Sequence, residues 1–143
     1  MEVKKQYIDG KWKTAASGTV RSIINPFNQE VIAVVTESDE TDAITSARKA
    51  FDNGDWSTHP TIERTKIVRK IADLIELNQE ELARLETIDT GKTLEESRWD
   101  MADIAEVFGY YADIGDKDAG EVIASPIPNS ESRVVREPIG VCA

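Results

Sequence analysis

The stretch Leu85-Glu86-Thr87-Ile88-Asp89-Thr90-Gly91-Lys92-Thr93-Leu94-Glu95-Glu96-Ser97 reads as the end of one helix and the start of the next. Leu85 and Ile88 continue an apolar face begun at Leu82, and Gly91 stops the helix because glycine takes the left-handed conformation favoured just past a helix C-terminus. Thr93, with Glu96 three residues on, has the spacing of a capping box and opens a second helix. That helix carries Trp99, Ile104, Val107, Phe108 and Tyr111 and runs to Ile114 or Gly115, a length of ~30 Å at 1.5 Å per residue. Upstream, Asn78 and Glu81 repeat the capping arrangement at the head of the helix that Gly91 ends. Before them Pro60 suits a first helical turn, and Ile67, Val68, Ile71, Leu74 and Ile75 form an apolar face as far as Asn78. A shorter amphipathic helix from Ser38 places Ala43, Ile44, Ala47, Ala50 and Phe51 on one stripe, closed by Asn53-Gly54 through a left-handed residue.

Four helices in series are thus predicted, flanked by extended chain. On the N-terminal side Gln6-Tyr7-Ile8 and Lys11-Trp12-Lys13 flank Asp9-Gly10, a dipeptide that tolerates the positive φ angles of a tight hairpin. Strands follow at Val20 to Ile24 and Val31 to Val35, separated by the turn Asn25-Pro26-Phe27-Asn28, which completes a small antiparallel β unit. Beyond Lys117-Asp118-Ala119-Gly120, Val122-Ile123, Ser132 to Arg136 and Ile139 to Ala143 read as extended, with Pro126 and Pro128 forbidding helix. The chain ends inside an apolar β run, which has the look of a cut. The class is α/β, with no internal repeat or low-complexity tract.

Composition sets the bounds of function. In 143 residues, 40% hydrophobic and 31% charged, the chain has the content of one globular domain. Seventeen basic against twenty-seven acidic residues give a net charge of −10, a field that repels phosphate backbones and anionic lipid, so neither nucleic acid nor membrane is an expected partner. No stretch approaches the ~18 apolar residues of a membrane span. Met1-Glu2-Val3-Lys4-Lys5 has no export signal, and a single cysteine, Cys142, gives no sign of an oxidising compartment, so the cytoplasm is expected. The acids between Thr93 and Glu121 read as a solvated helix face.

Few residues suggest chemistry. Cys142 would be a nucleophile only with a base nearby, and in an apolar strand a cysteine is normally a small buried hydrophobe. His59, the one histidine, reads as a helix-start residue before Pro60 and cannot build a metal cluster or triad alone. With neither GxGxxG nor a P-loop, the chain offers no phosphate cradle. Glu95 with Glu96, or Asp100 with Asp103, fits a solvated face better than an acid/base pair. Asp89 differs, because it falls at the C-terminal end of a helix, where the dipole disfavours a carboxylate by ~0.3–1 kcal/mol. A positive partner is expected there: Lys92, three residues on, or an alkali cation held by the carboxylate and backbone carbonyls as hard oxygen ligands.

The strings Tyr7-Ile8-Asp9-Gly10-Lys11-Trp12, Ile24-Asn25-Pro26, Leu85 to Lys92 and Arg136-Glu137-Pro138-Ile139-Gly140-Val141 appear in an order and spacing that resembles the NAD(P)-dependent aldehyde dehydrogenases. The stretch from Leu85 to Val141, with Gly91 to Ser97 and Ser125-Pro126-Ile127-Pro128, is most similar to the bacterial betaine aldehyde branch. The resemblance implies an N-terminal fragment of a subunit several times longer. It assigns 1–36 to the β unit of a cofactor domain, 37–120 to four helices that pack on a Rossmann-like sheet of that domain, and 121–143 to the start of an oligomerisation arm. The family's reaction adds an aldehyde to a cysteine thiolate and passes hydride from the thiohemiacetal to NAD or NADP. A glutamate acting through water then hydrolyses the thioester, with an asparagine and a backbone N–H stabilising the oxyanion.

Those catalytic groups, and the residues that bind NAD(P), would all follow Ala143, so the fragment itself is expected to be inactive; Cys142 matches a structural strand position. The resemblance also implies a site for K+ or Na+ within the subunit, made by Asp89 and the carbonyls of Ile24 and Ile23. This turns the choice at Asp89 towards the cation. Implied partners are a small aldehyde, betaine aldehyde above all, and further copies of the chain in a homodimer or homotetramer. Two other classes stand beside the enzyme: a non-enzymatic assembly or adaptor module that pairs with full-length subunits through its strand arm, and a structural helical module that keeps the likeness without the function.

Overall fold

The computed structural model describes residues 2–37, 40–117 and 120–142. The expected helix start at Ser38, the Asp118-Ala119 turn and Ala143 lie outside them. Chain order is β1 (Val3–Lys4), β2 (Gln6–Ile8), β3 (Lys11–Lys13), β4 (Val20–Ile24), β5 (Val31–Thr36), α1 (Glu40–Asn53), α2 (Thr61–Leu77), α3 (Gln79–Thr90), α4 (Leu94–Ile114), β6 (Glu121–Ile123) and β7 (Ser132–Val134).

The N-terminal hairpin turns as its sequence dictates. Asp9 and Gly10 hold φ of 54° and 72°, β2 and β3 pair antiparallel, and Tyr7 meets Trp12 directly across the ladder, edge to face, with ring centroids 5.1 Å apart. Next to it stands a three-stranded sheet in the order β1-β5-β4. β4 and β5 are antiparallel as expected, whereas β1, a two-residue strand too short to show a period in sequence, adds on parallel to β5. The register slips between Ile23 and Ile24: Ile23 opposes Ala33 and Ile24 opposes Val31, leaving Ile32 as the extra residue of a bulge.

The helical layer is held by small side chains. Ala72 of α2, Ala83 of α3, and Ser97, Met101, Gly109 and Ala112 of α4 are buried, so the three helices approach closely. Fully buried Ser97 shares a 2.9 Å hydrogen bond with Thr87, which satisfies both hydroxyls. Gly109 is needed for a close approach of another kind: Arg69 of α2 lies where its Cβ would be, with Nη1 2.7 Å from that position, donates 2.9 Å to the Gly109 carbonyl and pairs with Asp113. That guanidinium holds the Asp113 carboxyl below its ordinary range.

Two helix ends depart from expectation. Asn78 caps nothing with its side chain; its Nδ2 donates 2.7 Å back to the Leu74 carbonyl, so it closes α2, and only its backbone carbonyl serves α3. Glu81 therefore completes no capping box there. Neither Asn53 nor Gly54 adopts a positive φ, so α1 does not end in a left-handed residue; Gly54 is required because an added Cβ would fall 2.2 Å from the Ala50 carbonyl oxygen. Thr93 and Glu96 do form the expected box, with Glu96 N–H donating 3.3 Å to the Thr93 hydroxyl and Thr93 N–H donating 3.1 Å to the Glu96 carboxylate.

The start of α3 is tied to α4 by Arg98, whose Nε and Nη2 each donate 2.8 Å to the Glu80 carboxylate. Gln79 adds a 3.0 Å bond to the Arg98 carbonyl. The Arg98 fork, with Arg84 beside it, pulls the Glu80 pKa from 4.5 to about 2. A carboxylate whose folded pKa is depressed stabilises the fold above its unfolded value and ceases to do so as pH falls through the folded one. Urea midpoints of the intact chain and of Glu80→Gln should therefore lie well apart above pH 4.5 and converge towards about pH 2. A gap that is the same at both ends of that range would assign Glu80 no part in acid sensitivity.

Candidate cation site

The left-handed turn at Gly91 brings α3 to the β unit. Gly91 caps α3 with φ 81°, its N–H bonded to the Thr87 carbonyl at 2.9 Å. An added Cβ would meet Pro26 Cγ at 2.7 Å, so the loop that follows β4 rests on the end of α3. The loop is firm in its own right. Asn25 N–H bonds to the Glu30 carbonyl at 2.9 Å, Gln29 N–H to the Asn25 carbonyl at 2.8 Å, and the Asn25 side chain accepts from Phe27 N–H at 2.9 Å.

A cleft runs between the sheet and α3, lined by Lys4, Ile23, Ile32, Glu86, Asp89 and Met101 among others. Two of the three expected cation ligands, Ile23 and Asp89, thus share one cleft. Ile24 is not among its lining residues and lies next along β4, two positions before Pro26. The register slip falls between Ile23 and Ile24, opposite the extra residue Ile32 of β5. Asp89 is exposed on the last turn of α3.

Lys92, the plain candidate for neutralising Asp89, is engaged elsewhere. Its ammonium lies 2.7 Å from Glu86 and also pairs with Asp100 of α4, and these carboxylates raise its pKa. Among the described residues no cationic side chain forms an ion pair with Asp89. No cluster of three or more histidine, cysteine, aspartate or glutamate side chains suited to a metal occurs among them. Of the two carboxylates that line the cleft, Glu86 is paired with Lys92, which leaves Asp89 and main-chain oxygens as donors. Sequence spacing alone could not find the Glu86-Lys92-Asp100 arrangement, because it joins residues across the α3–α4 turn.

The other candidates carry no chemistry. His59 Nδ1 lies 3.3 Å from the Asp55 carbonyl, the place of a helix-start residue. Glu96 belongs to its capping box and Asp100 to Lys92. Cys142 is exposed, in extended chain with no strand partner among the described residues, which corrects its reading as a buried strand cysteine. Its Sγ is 3.8 Å from the Gly140 carbonyl. No helix among the described residues is long and apolar enough to cross a membrane.

A model of the aldehyde dehydrogenase family matches residues 12–143. Betaine aldehyde dehydrogenase of Bacillus subtilis is 61% identical over 139 residues, covering 95% of this chain and 28% of that protein. The mitochondrial benzaldehyde dehydrogenase of Antirrhinum majus is 39% identical over 145 residues, covering 99% of this chain and 27% of its own length. Among solved structures, a Staphylococcus aureus betaine aldehyde dehydrogenase double mutant in complex with NAD+ superposes with a TM-score of 0.88 at 54% identity, covering 96% of this chain and 28% of that one. The four helices and small sheets match the N-terminal part of that fold, and the chain spans between a quarter and a third of the length of these relatives.

Replacing Gly91 by alanine should test the junction between layers. A left-handed alanine costs about 1–2 kcal/mol, and here Pro26 must also move. We expect Gly91→Ala to lose at least about 1 kcal/mol of unfolding free energy, read as a lower denaturant midpoint; an unchanged midpoint would show that the contact with Pro26 is slack.

Proposed function

This chain belongs to the aldehyde dehydrogenase family, and from that premise we propose that it is the N-terminal part of an enzyme that oxidises betaine aldehyde to glycine betaine. The reading is carried by identity that is far higher to a bacterial betaine aldehyde dehydrogenase than to a plant benzaldehyde dehydrogenase, spread across nearly the whole chain. NAD or NADP, bound by residues beyond 143, would accept hydride from the aldehyde carbon. The catalytic cysteine, glutamate and asparagine belong to that same later sequence.

The residues of this chain have supporting tasks in the proposal. Residues 1–36 and 37–120 form the β and helical parts of the cofactor domain, and 121–143 begin an arm that joins subunits in a homodimer or homotetramer. Large apolar side chains left exposed on the helices, such as Leu77 at 79% and Leu85 at 52%, fit packing against a sheet supplied by other sequence. The β6–β7 hairpin, with Val122 at 71% exposure, offers edges that fit strand pairing.

Asp89 with the carbonyls of Ile24 and Ile23 holds K+ or Na+ in this reading. A single carboxylate balances a single positive charge, and hard oxygen donors suit an alkali ion. Bound there, the ion would tie β4 to the end of α3 and offset the negative end of the helix dipole.

Two measurements test the proposal on the intact protein. Formation of NADH or NADPH should proceed with betaine aldehyde, and its kcat/KM should exceed that of the uncharged isostere 3,3-dimethylbutanal by roughly tenfold, as expected if aromatic side chains recognise the quaternary ammonium. Equal rates, or no reduced cofactor, would overturn the substrate. For the ion, melting midpoints should be higher in KCl than in N-methylglucamine chloride at equal ionic strength, because a ligand that binds only the folded state stabilises it. The difference should vanish in Asp89→Asn; coincident melts of the unmodified protein would remove the cation from the picture.

A further inference from the structure

Lys92 lies three residues from Asp89, yet its ammonium is held between Glu86 and Asp100, 2.7 Å from the former. Glu86 is one helical turn before Asp89, and both carboxylates line the cleft beneath β4. The lysine is therefore kept one turn from the carboxylate it would otherwise neutralise. Asp100, on α4, supplies the pull away from α3.

We propose that Asp100 is a positioning residue for the cation site: by holding the Lys92 ammonium against Glu86, it keeps that lysine off Asp89 and leaves the carboxylate open to an alkali ion. The inference rests on the cation reading given above. Without Asp100, the flexible four-carbon stem lets the ammonium turn from Glu86 towards Asp89, where an attached cation competes with a dissolved one. The Lys92 side chain is only 32% exposed, and Glu86 and Asp100 are 27% and 43% exposed, so the triad is partly shielded from solvent and screening salt. Lys4 also lines the cleft, but it is common to every variant below and cancels from the comparison.

The test measures the apparent Kd for K+ on the intact protein, from melting midpoints across a KCl series with N-methylglucamine chloride making up the ionic strength. Asp100→Asn should raise that Kd about fivefold, the scale on which a single competing ion pair acts. Asp100→Asn combined with Lys92→Gln should restore it, since the competitor is gone. Asp103→Asn, which removes the same charge from the same helix, should leave it unchanged; a rise as large as that of Asp100→Asn would reduce the effect to net charge and overturn the proposal. If Asp100→Asn keeps the full K+ response while Asp89→Asn loses it, the positioning role fails and the cation site stands. If neither substitution alters the response, the cation site itself fails. Should Asp100→Asn not fold, Asp100→Ser with and without Lys92→Gln asks the same question, and an equal Kd in that pair would overturn the role.

Discussion

The contact between Gly91 and Pro26 joins the two layers of the molecule. A residue with φ 81° is needed to end α3 and send the chain into α4, and that same residue must lack a Cβ because the ring of Pro26 occupies the space. One glycine thus satisfies a conformational demand and a packing demand together. It sets the return angle of α4 against α3, and it brings the end of β4, where the register slips, to the last turn of α3, where Asp89 lies. A cation bound at this junction would depend on that approach.

Helix-to-helix attachment rests on a different economy. Its buried positions are alanine, serine, glycine and one methionine, Met101, while many of the larger apolar groups, such as Leu74, Leu77 and Leu85, are exposed. Close approach is fixed by directional contacts: the Thr87–Ser97 hydrogen bond, Arg69 laid over Gly109, and Arg98 forked onto Glu80. Such contacts fix geometry, while most of the hydrophobic area that could stabilise the layer is not yet spent. The exposed apolar groups occur in a chain that covers between a quarter and a third of the length of its relatives.

Local signals were legible in the sequence. Asp9-Gly10 announced its hairpin, Thr93 and Glu96 their box, and Gly91 its left-handed cap, because each depends on residues within a few positions of one another. Where two local readings competed, sequence could not decide. Asn78 can cap the helix after it or bond back to the helix before it, and the short connection between α2 and α3 selects the second. β1 could not be seen, because two residues carry no period and its partner β5 lies some thirty positions away. The site was legible in part: a place at a helix end singled out Asp89, the resemblance alone added Ile23 and Ile24, and the cleft gathers Ile23 with Asp89. The fate of Lys92 was not legible, since Asp100 reaches it only once α4 has folded back.

The order of the helices has a consequence for synthesis. α2, α3 and α4 follow one another in the chain, but α2 packs chiefly on α4, across a separation of 40 residues at Arg69 and Gly109, and little on α3, so the helical layer closes only once α4 has been made. A ribosome adds about 5–20 residues per second, far slower than helices meet. The helical layer can thus assemble as soon as Ile114 has emerged, displaying Leu77, Leu85 and Trp99 to solvent. Exposed there, those side chains form a sticky surface on the nascent chain, and this surface is what a chaperone has most to shield.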